Sequence, residues 1–303
     1  MNSSGAGREN WSESTAMGTT VHICLVEDPA APSGVGGEVR PLHALVAEVD
    51  AALSRFLPTS DVGRLNDAPG RWMPVGRHLA VVAEAAARYR ELTGGVFDPV
   101  TGDAERELEL RSDGDGWVAR ISPGCRLDFG AIAKGYAADL VRGRARTPGV
   151  LVSLGTSSIA VSGLAPRHGG WRIAIGSPWE ALPETLGYLE VAGGSFSMSG
   201  AYGRRPGSTD VVVAHVRDPR TGVSARTDLC AVGVLSDDGM RSEALSTACL
   251  VLGLDEGMDL CARVGVDALF LVASGRIVAS PGMAPRISLR SGVTERLRSL
   301  RRI

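Results

Sequence analysis

Between residues 41 and 57 apolar side chains fall at helical spacing, with Leu42, Leu45, Val49, Ala52 and Leu53 along one stripe. A second stripe runs through "HLAVVAEAAARYRELTG" and stops at Gly94 and Gly95. A third extends from about Ala131 to Val141 and places Ile132, Tyr136 and Leu140 on one face. A fourth region, "RSEALSTACLVLGLDEGMDLCARVG", reads as helix with a break near Gly253. Strands are expected in "TTVHICLV", "GWVARIS", "GVLVSLGTSSIAVSG", "GGWRIAIGSP", "LGYLEVAGGSFSMSG", "DVVVAHVRD" and "CAVGVLS", and in a last pair, "DALFLVAS" and "GRIVAS". "DPRTG" is a turn, with Pro219 pre-set for a type I bend and Gly222 closing it.

Runs of strands joined by hairpin-like turns, with helices in separate blocks, indicate an α+β fold rather than strict βαβ alternation. No linker splits the chain and no short repeat is visible. Residues 1–16 are polar and small and are expected to form a disordered tail. Residues 17–285 are expected to form one domain, and residues 286–303 a basic tail with Arg286, Arg290, Arg296, Arg298, Arg301 and Arg302. The stretch 100–127 is charged and reads as irregular apart from "GWVARIS".

Composition narrows the classes. A net charge of −2 gives no basis for a nucleic-acid or anionic-membrane binder. No apolar run reaches the length of a membrane span. The five cysteines are odd in number and contain no CxxC pair, which argues against a disulfide framework or a zinc site. They fit reduced thiols in a cytoplasmic protein, and "MNSSGAGRENWSEST" lacks the apolar core of a signal peptide.

Three stretches carry candidate chemistry. Lys134 is the only lysine in a chain whose other basic residues are arginines. It falls in the first turn of the third helix, where a cation opposes the helix dipole. A bound anion would remove the conflict, because amide N–H groups, the dipole and the ammonium would converge on a phosphate. A surface lysine lying over its own helix satisfies the same position. Glu243 and Thr247, four apart, share one helix face and form a hard-oxygen pair suited to magnesium. A first-turn carboxylate and a back-bonded threonine read the same way. His215 ends a strand beside the DPRTG turn, as an acid or base or as a structural histidine. GxGxxG, Walker A and GxSxG motifs are absent from the sequence.

Taken together, "AMGT", "LSRFLPTSDVGRLN", "TGGVFDP", "LDFGAIAKGYAAD", "SMSGAY", "HVRDPRTG" and "SEALSTACLVLG" resemble, in order, the motifs of the ApbE family of flavin transferases. The resemblance runs from Met17 to near Ser280. It implies a single α+β domain with mixed, largely antiparallel sheets and flanking helices. It also implies magnesium-dependent transfer of FMN from FAD to a threonine of an acceptor flavoprotein, with release of AMP. Met17, Phe56, Val96, Phe97, Asp98, Asp128, Lys134 and Arg217 correspond to FAD contacts, Lys134 at a phosphate and Arg217 through its backbone. The Ala131 carbonyl and the Glu243 and Thr247 side chains correspond to magnesium ligands. His215 corresponds to the histidine implicated in catalysis, and it or Glu243 would take the threonine proton. The chain departs from the family pattern in Glu243, where Asp is usual, in "SLGTSS" for a Gly-Gly-Asp pattern, in Ala201 for Asp, and in a short stretch before "LDFGA". Hydrolysis of FAD to FMN and AMP, and silent FAD binding, are the alternative readings.

Overall fold

The computed structural model describes residues 8–27, 36–102, 105–163, 165, 170–179, 184–200 and 211–293. A hairpin opens the fold: β1 (Arg8–Ala16) and β2 (Thr19–Glu27) join through Met17 and Gly18, at φ 53° and 69°. Three helices and a short strand follow: α1 (Gly36–Leu53), α2 (Asp61–Asp67), β3 (Met73–Val75) and α3 (Arg77–Leu92). Four small strands then precede the fourth helix: β4 (Val100–Thr101), β5 (Leu108–Asp113), β6 (Gly116–Ile121), β7 (Arg126–Leu127) and α4 (Ala133–Arg144). The central strands are β8 (Gly149–Leu154), β9 (Ser158–Gly163), β10 (Trp171–Gly176), β11 (Thr185–Val191) and β12 (Gly194–Gly200). The chain continues through β13 (Val211–Arg217), β14 (Ser224–Thr227), β15 (Leu229–Ser236), α5 (Gly239–Leu252) and α6 (Leu254–Val264). It closes with β16 (Asp267–Val272), β17 (Arg276–Ala279), a 3-10 turn at Ala284–Arg286 and β18 (Ile287–Leu289).

Eight strands form one antiparallel sheet in the order β1-β2-β8-β9-β12-β15-β16-β17. Smaller sheets are β10-β11-β18, β3-β6-β5, β13-β14 and β4-β7. β15 is buried from Leu229 to Leu235, and its near-continuous apolar sequence matches a strand covered on both faces. α4 packs on β8 and β9, α5 on β12 and β15, α1 on α4, and α6 on α5. The break expected near Gly253 separates α5 from α6, at a φ of 85° that glycine tolerates. Among the described residues no helix is long and apolar enough to cross a membrane.

Three expectations need correction. Arg8–Ala16 is not a disordered tail but the edge strand of the main sheet. Its polar alternation is that of a strand with one face to solvent, and His43 of α1 holds it through Ser12 (3.0 Å) and Ser14 (2.6 Å). The folded unit also passes residue 285: β18 pairs with β11, and Val293 is buried. Residues 1–7 and 294–303 lie outside the described residues. Finally, the charged stretch 100–127 is mostly strand. Glu109 and Arg120 are cross-strand partners joined by an ion pair, and Arg111 and Arg120 lie over the Trp72 ring at 4.1 and 5.0 Å. Charge that reads as loop is here the outward face of a hairpin.

Candidate active site

Two glycines set the site's geometry. Gly135 in the first turn of α4 lies against Gly239 at the start of α5. A Cβ on Gly135 would sit 2.2 Å from the Gly239 carbonyl oxygen, and one on Gly239 would sit 2.5 Å from that of Gly135. Only bare backbone allows this approach, and it brings the two helix N-termini side by side. Asp238 caps α5 by accepting from the Arg241 N–H at 3.0 Å. Asp139 of α4 locks the crossing: its carboxylate accepts from Gly239 N at 2.6 Å, from Ser195 Oγ at 2.7 Å and from Arg142 at 2.9 Å. Burial pushes the Asp139 carboxyl above its ordinary pKa, against the opposing pull of Arg142, Gly239 and Ser195, and Asp238 adds to the rise.

This crossing puts Lys134 beside Glu243. Glu243 is buried, and its Oε2 accepts from Gly135 N at 3.0 Å while its Oε1 accepts from the Ser158 hydroxyl. Lys134 Nζ lies 3.5 Å from that Oε1 and donates to the Gly130 carbonyl at 3.2 Å. The anion that the lysine and the helix dipole require is therefore already supplied by α5, and the Gly135 amide is taken. One turn along α5, Thr247 Oγ1 lies 3.1 Å from Ser199 Oγ, which lies 2.8 Å from Ser246 Oγ.

These groups open onto a cleft of about 650 Å³. Lys134, Glu243, Thr247 and Ala131 line it together with Asp128, Asp98 and Arg217. Asp128 accepts from Gly130 N at 2.9 Å and from Arg55 at 2.7 Å, and Arg55 lies over the Phe56 ring at 4.7 Å. Asp98 is almost wholly enclosed, with Arg90 Nε at 3.0 Å, Arg106 Nε at 3.4 Å and Val100 N at 2.9 Å on its carboxylate. Arg106 also donates to the Pro219 carbonyl, so Asp98 braces the wall formed by the DPRTG turn. In that turn Thr221 N donates to Asp218 O at 3.2 Å, the bond of a type I bend, and Gly222 N donates to the same carbonyl at 2.9 Å. Burial works against the Asp218 charge, but hydrogen bonds and charge from Arg220, with Arg106, outweigh it and hold the carboxyl below its usual range.

Four of the sequence candidates stand apart from the lining. Val96 and Phe97 are buried in the core. Phe56 is 79% exposed, beyond Arg55. Met17 is half-buried in the β1–β2 turn, its N–H donating to Asp50 at 2.7 Å. His215 lies in β13, and its side chain is outside the described residues, as is Ala201. The lining also includes Arg55, Arg106 and Ser199, and Ser158 supports it from beneath, none of them indicated by spacing in the sequence. Gly135 alone left a signal, since a glycine inside a helix disfavours it by about 1 kcal/mol without a packing reason. Among the described residues no three His, Cys, Asp or Glu side chains cluster as a metal site.

Known proteins resemble this chain in sequence and in fold. The ApbE family model matches residues 17–108 and 104–270. The FAD:protein FMN transferase of Treponema pallidum is 29% identical over 86% of this chain and 83% of its own. The apo crystal structure of the Pseudomonas stutzeri flavinyl transferase ApbE is 26% identical, with a TM-score of 0.74 over 92% of this chain and 97% of that one. The flavin transferase ApbE from Vibrio cholerae, at 23% identity, shares the fold with a TM-score of 0.78 over 92% of this chain and 99% of its own. With the family model matching most of the sequence and the fold shared over 92% of it, the chain belongs to the ApbE family.

Proposed function

We propose that the cleft binds FAD and transfers its FMN part to a threonine side chain of an acceptor flavoprotein, releasing AMP. The observation that carries this reading is the meeting of Lys134, Glu243 and Thr247 on one wall of a cleft of about 650 Å³, a size usual for ligand pockets. In the reaction the threonine Oγ bonds to the FMN phosphorus, the bond from that phosphorus to the AMP phosphate breaks, and the threonine proton passes to His215 or Glu243. Lys134 offsets the charge that gathers on the diphosphate oxygens during transfer. Asp128, Arg217 and Asp98 shape the cleft, whereas Met17, Phe56, Val96 and Phe97, FAD contacts only by the family resemblance, stand apart from its lining.

Ala131, Glu243 and Thr247 offer a carbonyl, a carboxylate and a hydroxyl in one cleft, an all-oxygen donor set that fits magnesium. Each Glu243 oxygen carries one protein donor and keeps lone pairs for a metal. Magnesium held there would draw charge from the diphosphate. All five cysteines are buried and none is in a disulfide, which supports a reducing, cytoplasmic setting.

The test supplies FAD, magnesium and a threonine-bearing acceptor to wild type and to Glu243→Gln. Expected are AMP release and flavin that stays with the acceptor through denaturing electrophoresis, both lost with chelator and in Glu243→Gln. AMP with free FMN and an unlabelled acceptor would replace transfer by hydrolysis. No AMP from wild type would leave a binding protein.

A further inference from the structure

Glu243 cannot choose its own orientation. It is buried, and one of its two fixed partners is a hydroxyl from the sheet beneath it. Ser158 opens β9, is fully buried, and faces Leu154 on β8 and Ser197 on β12 in the register of the main sheet. Its hydroxyl donates to Glu243 Oε1, while the Gly135 amide donates to Oε2. The carboxylate is thus stretched between the sheet and the N-terminus of α4. Lys134 reaches the same Oε1, at 3.5 Å, from the cleft side. An aspartate at 243 would be one methylene shorter and could not span both partners.

We infer that Ser158 is a positioning residue for the proposed transfer, fixing the Glu243 carboxylate so that its remaining lone pairs and its charge face the cleft. This rests on the functional reading above. Ser158 touches neither FAD nor the acceptor; it acts through Glu243, as a group outside the ligand set orients one within it. The paired hydroxyl of Ser199 on Thr247 does the same for the second side-chain oxygen of the set.

The experiment is a double-mutant cycle on AMP release with FAD, magnesium and the threonine-bearing acceptor, using wild type, Ser158→Ala, Glu243→Asp and the double variant. Loss of a hydrogen bond to a charged group lowers kcat in Ser158→Ala by about one to two orders of magnitude. The magnesium concentration for half-maximal rate rises, while KM for FAD stays within about twofold. In the Glu243→Asp background, where the contact cannot form, adding Ser158→Ala changes kcat by less than about threefold. Thermal melts of the metal-free proteins in chelator give a second cycle, in which Ser158→Ala lowers Tm when residue 243 is Glu and not when it is Asp. Equal kcat in wild type and Ser158→Ala overturns the inference, as does the same loss in both backgrounds. Wild type that releases no AMP overturns the functional reading and this role with it, and the metal-free melts still report the Ser158–Glu243 bond. If Ser158→Ala melts below the assay temperature, Ser158→Cys, close in size and a weak donor, takes its place with the same expected pattern.

Discussion

Lys134 enters the cleft with its charge already balanced by Glu243 at 3.5 Å and by the Gly130 carbonyl at 3.2 Å. Lys134→Ala leaves Glu243 its bonds from Gly135 and Ser158, so the fold should stand while FAD affinity falls by about 1.5–3 kcal/mol. Lys134→Arg keeps the charge and should lose less, although a planar fork replaces a compact ammonium. Calorimetric titration with FAD checks the order, and equal affinity in wild type and Lys134→Ala would free the lysine from the diphosphate. Asp139 gives a pH prediction. Its folded pKa is raised by burial, so its stabilising contribution is full below the ordinary carboxylate range and is lost as pH rises through the raised value. Asparagine does not titrate. The Tm of wild type relative to Asp139→Asn should therefore be highest at acid pH and fall toward neutrality; a difference that grows with pH would contradict the burial argument. The oddity of Lys134 was legible in the sequence, because a cation in a first turn conflicts with the dipole whatever the fold. Its partner was not, since Glu243 lies 109 positions on and nothing periodic links them. Ser158 showed only as the last residue of "SLGTSS", a departure from the family pattern that gave no hint of its contact with Glu243.

At the scale of elements, the crossing of α4 and α5 decides whether the site exists. Gly135→Ala puts a methyl against backbone that cannot step aside. It should destabilise by about 3 kcal/mol or more, lowering Tm by about 5 °C or more. Gly143, on the same helix with open space around its Cβ position, is the control: Gly143→Ala should raise stability by up to about 1 kcal/mol. Similar melts for the two variants would mean that the helices are not in contact at Gly135. Helices and apolar strands were readable because each carries its own period, 3.6 or 2. β1 and the β5–β6 hairpin were not, because an edge strand and a charged hairpin show polar residues on their outer faces. The cleft itself unites loops, strands and helix ends from seven regions of the chain, which only tertiary packing brings together.

For the whole molecule, ligand binding should appear as stability. FAD at a hundred times its dissociation constant should add about 2.7 kcal/mol, or about 4 °C in Tm, with magnesium present. A melt unmoved by saturating FAD would remove FAD as the cleft's ligand. The main sheet has a consequence of another kind, in time rather than energy. β2 pairs with β8, from Val26 against Gly149 to Val21 against Leu154. On a ribosome adding roughly 5–20 residues per second, the apolar strand Thr19–Glu27 waits about 6–25 s for that partner to be made. During that interval its only neighbour in the described main sheet is β1, a mostly polar edge strand. A nascent chain halted near residue 140 should accordingly be held by chaperones that recognise extended apolar segments, and one halted after β9 should escape them.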